Sequence, residues 1–149
     1  MNNIVPSRAH IPAMSEASIG NVRKFEAEMS KQPQYDLEIL HTIHGGVYTR
    51  TIMMPPGCML TGALIKIATT LIISGHVTVY TDGEDIDFVG YNVVPASANR
   101  KQAIYAHEHT DMTMLFSTKA TTVGEAQEEF TDEVYLLVSS KDHVVVTGE

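Results

Sequence analysis

The period of apolar and polar positions changes twice along the chain. From Ser15, the residues Ile19, Val22, Phe25 and Met29 recur every three or four positions, which predicts one amphipathic helix within 15–34, capped by Ser15 and stopped before Pro33. Ahead of it, residues 1–14 carry Pro6 and Pro12 and no period, so they are expected to form an extended N-terminal arm. From Tyr35 the period shortens to two. The runs LEILHTIHG, GVYTRTIMM, GALIKIATTLII, HVTVYTD, DIDFVGYNVV and KQAIYAHEHTDMTMLFST are β-branched or aromatic and are separated by GG, PPG, SG, DGED and PASAN. That spacing predicts an all-β core over 35–120, an antiparallel jelly-roll or barrel of six or more short strands. After Phe116 the period turns helical again. Thr122 can cap VGEAQEEF and Thr131 can cap DEVYLLVSS, so 121–149 is expected as one or two short C-terminal helices with a tail, HVVVTGE, that ends as an edge strand or an adhesive end.

Length and composition narrow the partners rather than the fold. The 149 residues suit one domain with a core of its own. A formal net charge of −8, with Arg100-Lys101 as the one basic pair expected to be available, argues against nucleic-acid binding, which needs clustered Lys and Arg. No apolar run is long enough to cross a bilayer, and the N-terminus lacks the basic-then-apolar layout of a signal peptide, so a soluble, unexported chain with no membrane partner is expected. The single Cys58 fits a reducing compartment and reads as a small residue after the turn Pro55-Pro56-Gly57, not as a reactive thiol.

The stretch from Thr61 to Val79 is the most apolar of the chain. Read as a strand, it places Ala63, Ile65, Ile67, Thr69, Leu71 and Ile73 on one face, and all but Thr69 are apolar. A barrel lined in this way is a packed core or a narrow dry pocket.

The order of turn signals resembles the cupin family: PPG at 55–57, a glycine at Gly75, and the stretch GYNVVPASANRK from Gly90 to Lys101. The segments HGGVYTRTI, LTGALIK, VTVYTDGE and YAHEHT, followed by MTMLFSTKATTVGEAQEEFTDE, look more closely like small cupin-like proteins encoded by bacteriophages. The resemblance spans roughly 35–138 and implies a double-stranded β-helix. It also implies a test for metal. Metal-binding cupins set HxH on one strand, a third ligand a few residues on and a fourth after the proline stretch. Those positions fall here on Ala63 and Ile65, on Ala68 or Thr69, and on Arg100 or Lys101, none of which is a ligand. No cofactor, no metal and no catalytic residue is therefore expected.

The remaining polar residues supply the candidates. His107, His109 and Asp111 share one face of their strand, but the opposite face is the more apolar, so they are expected to point to solvent or to a partner subunit. His41 and His44 precede the Gly-Gly turn and read as loop residues. Glu108 shares the apolar face with Ala106 and Met112 and needs a partner if buried, which Arg50 could supply from the strand that also carries Tyr48. Tyr48, Arg50, Thr69 and Glu108 are thus the expected ligand-binding residues, lining a polar mouth in an apolar barrel.

Three functions follow from these readings. The leading one is a non-enzymatic phage-encoded structural or interaction component, located in the host cytoplasm with assembly into the virion as one version. It would form a homo-oligomer, or bind other phage proteins, through the N-terminal arm and a barrel edge. The alternative is a metal-free cupin that binds a small molecule, a sugar or an anionic metabolite. The third is a metal-dependent enzyme with its site moved to His107, His109 and Asp111.

Overall fold

Ser15 starts α1 (Glu16–Met29) as the period predicts: its Oγ accepts a hydrogen bond from the Ser18 N–H, and its own N–H donates to Asp82 in a distant turn. The computed structural model describes residues 10–34, 36–137 and 141–149, so most of the expected arm lies outside the described residues. Its last part is docked, since Ile11 is fully buried and bridges Ala96.

One curled eight-stranded sheet forms the rest of the core. The strands β1 (Glu38–His44) and β2 (Val47–Met54) are joined by Gly45-Gly46, both with positive φ as a tight hairpin turn requires. The strands β3 (Met59–Thr61), β4 (Thr69–Tyr80), β5 (Asp85–Ala96), β6 (Ala103–Ala106) and β7 (Thr110–Ser117) follow. Then come α2 (Val123–Phe130), capped by Thr122 as expected, a single 3-10 turn at Val134–Leu137, and β8 (Lys141–Val146). The order is β3-β6-β4-β7-β2-β1-β8, with β5 on the other edge of β4. The inner faces of the strands, together with Ala126 and Phe130 of α2, enclose one continuous apolar core.

Four expectations are corrected. The sheet is mixed rather than antiparallel, because the tail returns as β8 beside β1 in parallel register. The apolar stretch 62–68 is not strand: Ala63 is buried in a loop, Ile65 makes one isolated bridge to Arg100, and β4 begins at Thr69. The Ser74-Gly75 pair is no turn, and β4 runs through it. Finally, KQAIYAHEHTDMTMLFST is two strands, parted at His107 to His109.

The last two corrections share a cause at Gly75. All twelve residues of β4 pair with β5 on one edge, while on the other edge β4 pairs with β7 over Thr70–Ser74 and with β6 over Val77–Tyr80. Gly75 sits at the exchange of partners with φ +145°, and a Cβ there would lie 2.3 Å from Thr110 Oγ1 and 2.6 Å from the His109 carbonyl oxygen. Only glycine lets the broken β6–β7 edge approach so closely.

Gly75→Ala is expected to destabilise the fold by about 3 kcal/mol, through backbone strain and steric overlap. Gly20→Ala, in α1 with nothing within 4 Å of the added Cβ, is expected to stabilise it by roughly 0.5 kcal/mol. Urea unfolding midpoints of the two variants test the contrast.

Candidate functional site

Hairpin register brings together the polar residues of the inner face. His41 of β1 lies opposite Arg50 of β2, and Ile43 lies opposite Tyr48. The Tyr48 hydroxyl is 2.7 Å from His41 Nδ1, and His41 Nε2 is 3.1 Å from Asp142 Oδ1 of β8. A hydroxyl donating to Nδ1 and an Nε2–H donating to the carboxylate satisfy a neutral imidazole on both sides. Burial pushes the His41 pKa down, reinforced by the Arg50 charge and opposed by Asp142. Burial likewise raises the Tyr48 pKa. The Tyr48 ring packs on Phe116 and Phe130, so this residue is a fixed floor.

His41 is therefore not a loop residue. It is 1% exposed and lies mid-strand, sharing the alternate positions of Leu37, Ile39 and Ile43, although Leu40 interrupts the polar set on the other face. His44 is also on β1, with its ring 2.7 Å from the Thr147 hydroxyl. That alternation was a usable signal for His41. Asp142 had none, because it reaches the site only through the parallel pairing of β8.

Arg50 is 9% exposed, and among the described residues no carboxylate lies within ion-pair distance of it. Its Nε has no hydrogen-bond partner. Burial pushes its pKa down, with the more distant Asp142 carboxylate opposing the shift. The guanidinium opens onto a cleft of about 630 Å³ between the C-terminal end of α1, the connection to β1 and β3. The walls are mostly apolar, with Phe25, Met29, Leu37, Met59, Leu60 and Leu136 among them. Glu26 also lines the cleft, but its carboxylate is engaged by Lys101 Nζ at 3.0 Å and the Thr61 hydroxyl at 2.8 Å. Cys58 borders the same space, buried, with its thiol pKa raised by burial.

The other two expected residues lie elsewhere. Thr69 accepts a 2.6 Å hydrogen bond from Arg100 Nη2. Glu108 is exposed, because the break between β6 and β7 resets the alternation that would have turned it inward. The expected Arg50–Glu108 pair is absent among the described residues. Of the four expected residues only Arg50 lines the cleft, with Tyr48 buried in a hydrogen-bonded chain with His41 and Asp142.

The metal positions implied by the resemblance do not fit a cation. Ala63 and Ile65 are in a loop, and Arg100 is buried, donating to the Ser97 carbonyl at 2.8 Å and to Thr69, with its pKa lowered to about 10 by desolvation. A fixed guanidinium there would repel a metal ion. Arg100 and Lys101 are also not the available basic pair that the sequence suggested, since both are buried. Among the described residues no three His, Cys, Asp or Glu converge to hold a metal, and His109 instead contacts Asp111 at 3.0 Å.

Neither family models nor curated proteins match the chain by sequence. Solved structures match part of the chain. They include a cupin superfamily protein from Desulfitobacterium hafniense at 17% identity, covering 60% of this chain and 86% of that one with a TM-score of 0.43. A second is an RmlC-like cupin family protein with a double-stranded β-helix fold from Methanocaldococcus jannaschii, at 17% identity, 58% and 85% coverage and a TM-score of 0.46. A third is KdgF from Halomonas sp., at 13% identity, 60% and 86% coverage and a TM-score of 0.47. At such identities and TM-scores these overlaps carry no assignment of ligand or activity, and nothing in them supports a bacteriophage origin or a virion role. No helix among the described residues is long and apolar enough to cross a membrane.

His41 generates a pH dependence. Its folded pKa lies below the unfolded value near 6.5, so the unfolded chain binds more protons between the two values. The stability present above pH 6.5 is expected to fall as pH drops through the folded pKa. His41→Gln should flatten that slope and destabilise the fold by about 2 kcal/mol at neutral pH, since the buried Tyr48 hydroxyl loses its partner. Chemical unfolding of both proteins across this pH range measures it.

Proposed function

We propose that this chain is a metal-free binding protein for a small carboxylate with an apolar body, received in the cleft beside α1 with Arg50 as the anion receptor. The observation that carries the reading is the state of Arg50. A buried guanidinium with no counter-ion is costly, by several kcal/mol even after relaxation, and a fold with a packed apolar interior gains nothing structural from it. A planar fork of donors at the end of an apolar cleft matches a carboxylate, which it can bind through two parallel hydrogen bonds. The cleft volume falls in the usual range for small-molecule sites. The charge of Glu26 is answered by Lys101, so Arg50, with Asp36 as the other acidic residue of the lining, favours one carboxylate over a polyanion.

The surrounding residues have positioning roles in this reading. Tyr48 and His41 hold the floor beneath Arg50, and Asp142 fixes the His41 ring. Thr69 and Glu108 are not part of it.

Arg50→Met distinguishes a receptor from a structural cation. The variant is expected to raise the stability of the ligand-free protein by about 1 kcal/mol, because an apolar isostere replaces an uncompensated buried charge. It should also weaken binding of an aromatic or medium-chain carboxylate by about 3 kcal/mol, roughly 100-fold. Isothermal titration with a panel of such acids and their neutral amides reads both arms: the wild type should bind acids and not amides. Failure of every acid to bind, or equal binding by Arg50→Met, would sink the proposal.

A further inference from the structure

One aromatic ring borders the cleft where it runs along α1. Val22, Phe25, Glu26 and Met29 share a stripe of that helix, as positions three and four apart do. Val22 is buried, and Glu26 is held to the sheet by Lys101 Nζ and the Thr61 hydroxyl. Phe25 lies between them in sequence but is 39% exposed, and its ring stands outside the apolar core.

On the other side of Phe25 is a second recess of about 380 Å³, lined by Asn21, Val22, Phe25, Tyr80 and Ala103. Phe25 is the one lining residue that this recess shares with the cleft of Arg50. The sheet register sets the two side by side. Ala103 of β6 pairs on one edge with Thr61 of β3, which lines the cleft, and on the other with Tyr80 of β4, which lines the recess. At the usual strand spacing Thr61 and Tyr80 are roughly 10 Å apart across the sheet. Along α1 the lining of the two runs from Asn21 to Ser30, a rise of about 13.5 Å.

We infer that Phe25 is a length ruler for the ligand: a straight-chain monocarboxylate enters with its carboxylate on Arg50, and its alkyl tail ends against the Phe25 ring, which shuts it out of the recess. This inference rests on the reading of Arg50 as an anion receptor and deepens it. The chemistry beyond the ring fixes the class. No residue lining the recess is charged, and Asn21 and Tyr80 offer only neutral groups, so a second carboxylate at the far end of a ligand would lose its hydration with no cation to meet it. The position of the ring fixes the length. Each methylene buried inside the cleft tightens binding about fourfold, whereas the first one to meet the ring must displace it or turn into solvent. Because the ring is partly exposed and not packed in the core, removing it joins the cleft to the recess without hollowing the interior.

Isothermal titration of the full chain with straight-chain acids from butanoate to hexadecanoate, each below its micelle concentration, tests the ruler. Wild-type affinity is expected to climb with chain length and to stop climbing at one acid. Phe25→Ala should move that limit to a longer acid and bind hexadecanoate about tenfold or more tightly than the wild type, while butanoate changes little. Phe25→Trp should move the limit to a shorter acid. Octanedioate, with a carboxylate at each end, should bind about tenfold or more weakly than octanoate. Both variants should unfold close to the wild-type temperature. A wild type that binds acids, with a length limit that stays in place in both variants, overturns the ruler and leaves the receptor role of Arg50 standing. A wild type that binds no acid of any length overturns both.

Discussion

A buried cation must be answered by something, and the described residues include three, Arg50, Arg100 and Lys101. Lys101 is answered fully: its ammonium reaches the Glu26 carboxylate of α1 and the Gly62 carbonyl at 2.8 Å. Arg100 is answered by dipoles, through the Ser97 carbonyl and the Thr69 hydroxyl, with the Ile67 carbonyl at 3.4 Å. Arg50 is answered by nothing within ion-pair distance among the described residues. The architecture follows from how these three needs are met. Lys101 ties α1 to the barrel, and Arg100 organises the loop ahead of β4. Arg50 is left beside a cleft with its Nε unpartnered.

The same arrangement explains why the cleft sits where it does. The grip of Lys101 on Glu26 holds α1 close to β3, and Thr61 completes the contact through its hydroxyl. A second link, Arg23 to Glu133 at 2.8 Å, joins α1 to the segment after α2, where Leu136 and Leu137 form part of the cleft wall. Around Arg50, the chain Tyr48–His41–Asp142 spends polar capacity on itself and leaves the guanidinium unshared. The inner face thus carries Arg50 and this hydrogen-bonded chain, while the outer face carries threonines paired with one another. The two faces belong to the same strands and are separated by the pleat alone.

Legibility in the sequence varied with the range of the interaction. α1, α2 and their Ser15 and Thr122 caps could be read because helix signals are local, and the β1–β2 hairpin because Gly45-Gly46 permits few other turns. The inward direction of Tyr48 and Arg50 followed from alternation within one strand. The same reasoning misplaced Glu108, since alternation holds only while a strand is unbroken, and the break at His107 to His109 is imposed by β4 exchanging partners at Gly75. It also misread 62–68, where apolar residues pack into the core from a loop with no strand period behind them.

By itself the sequence determined the β-rich core, the two helices, the absence of metal ligands at the positions its resemblance implied, and the presence of one arginine on an apolar strand face. Tertiary structure alone decided that β8 would return in parallel to place Asp142 against His41, and that Arg100 and Lys101 would be buried. It also decided that Arg50 would meet no carboxylate within ion-pair distance among the described residues. The reason is physical: hydrogen-bonded turns and side-chain periods act over a few residues and are written in order. Whether a buried charge finds its counter-ion depends on strands brought together from 100 residues away.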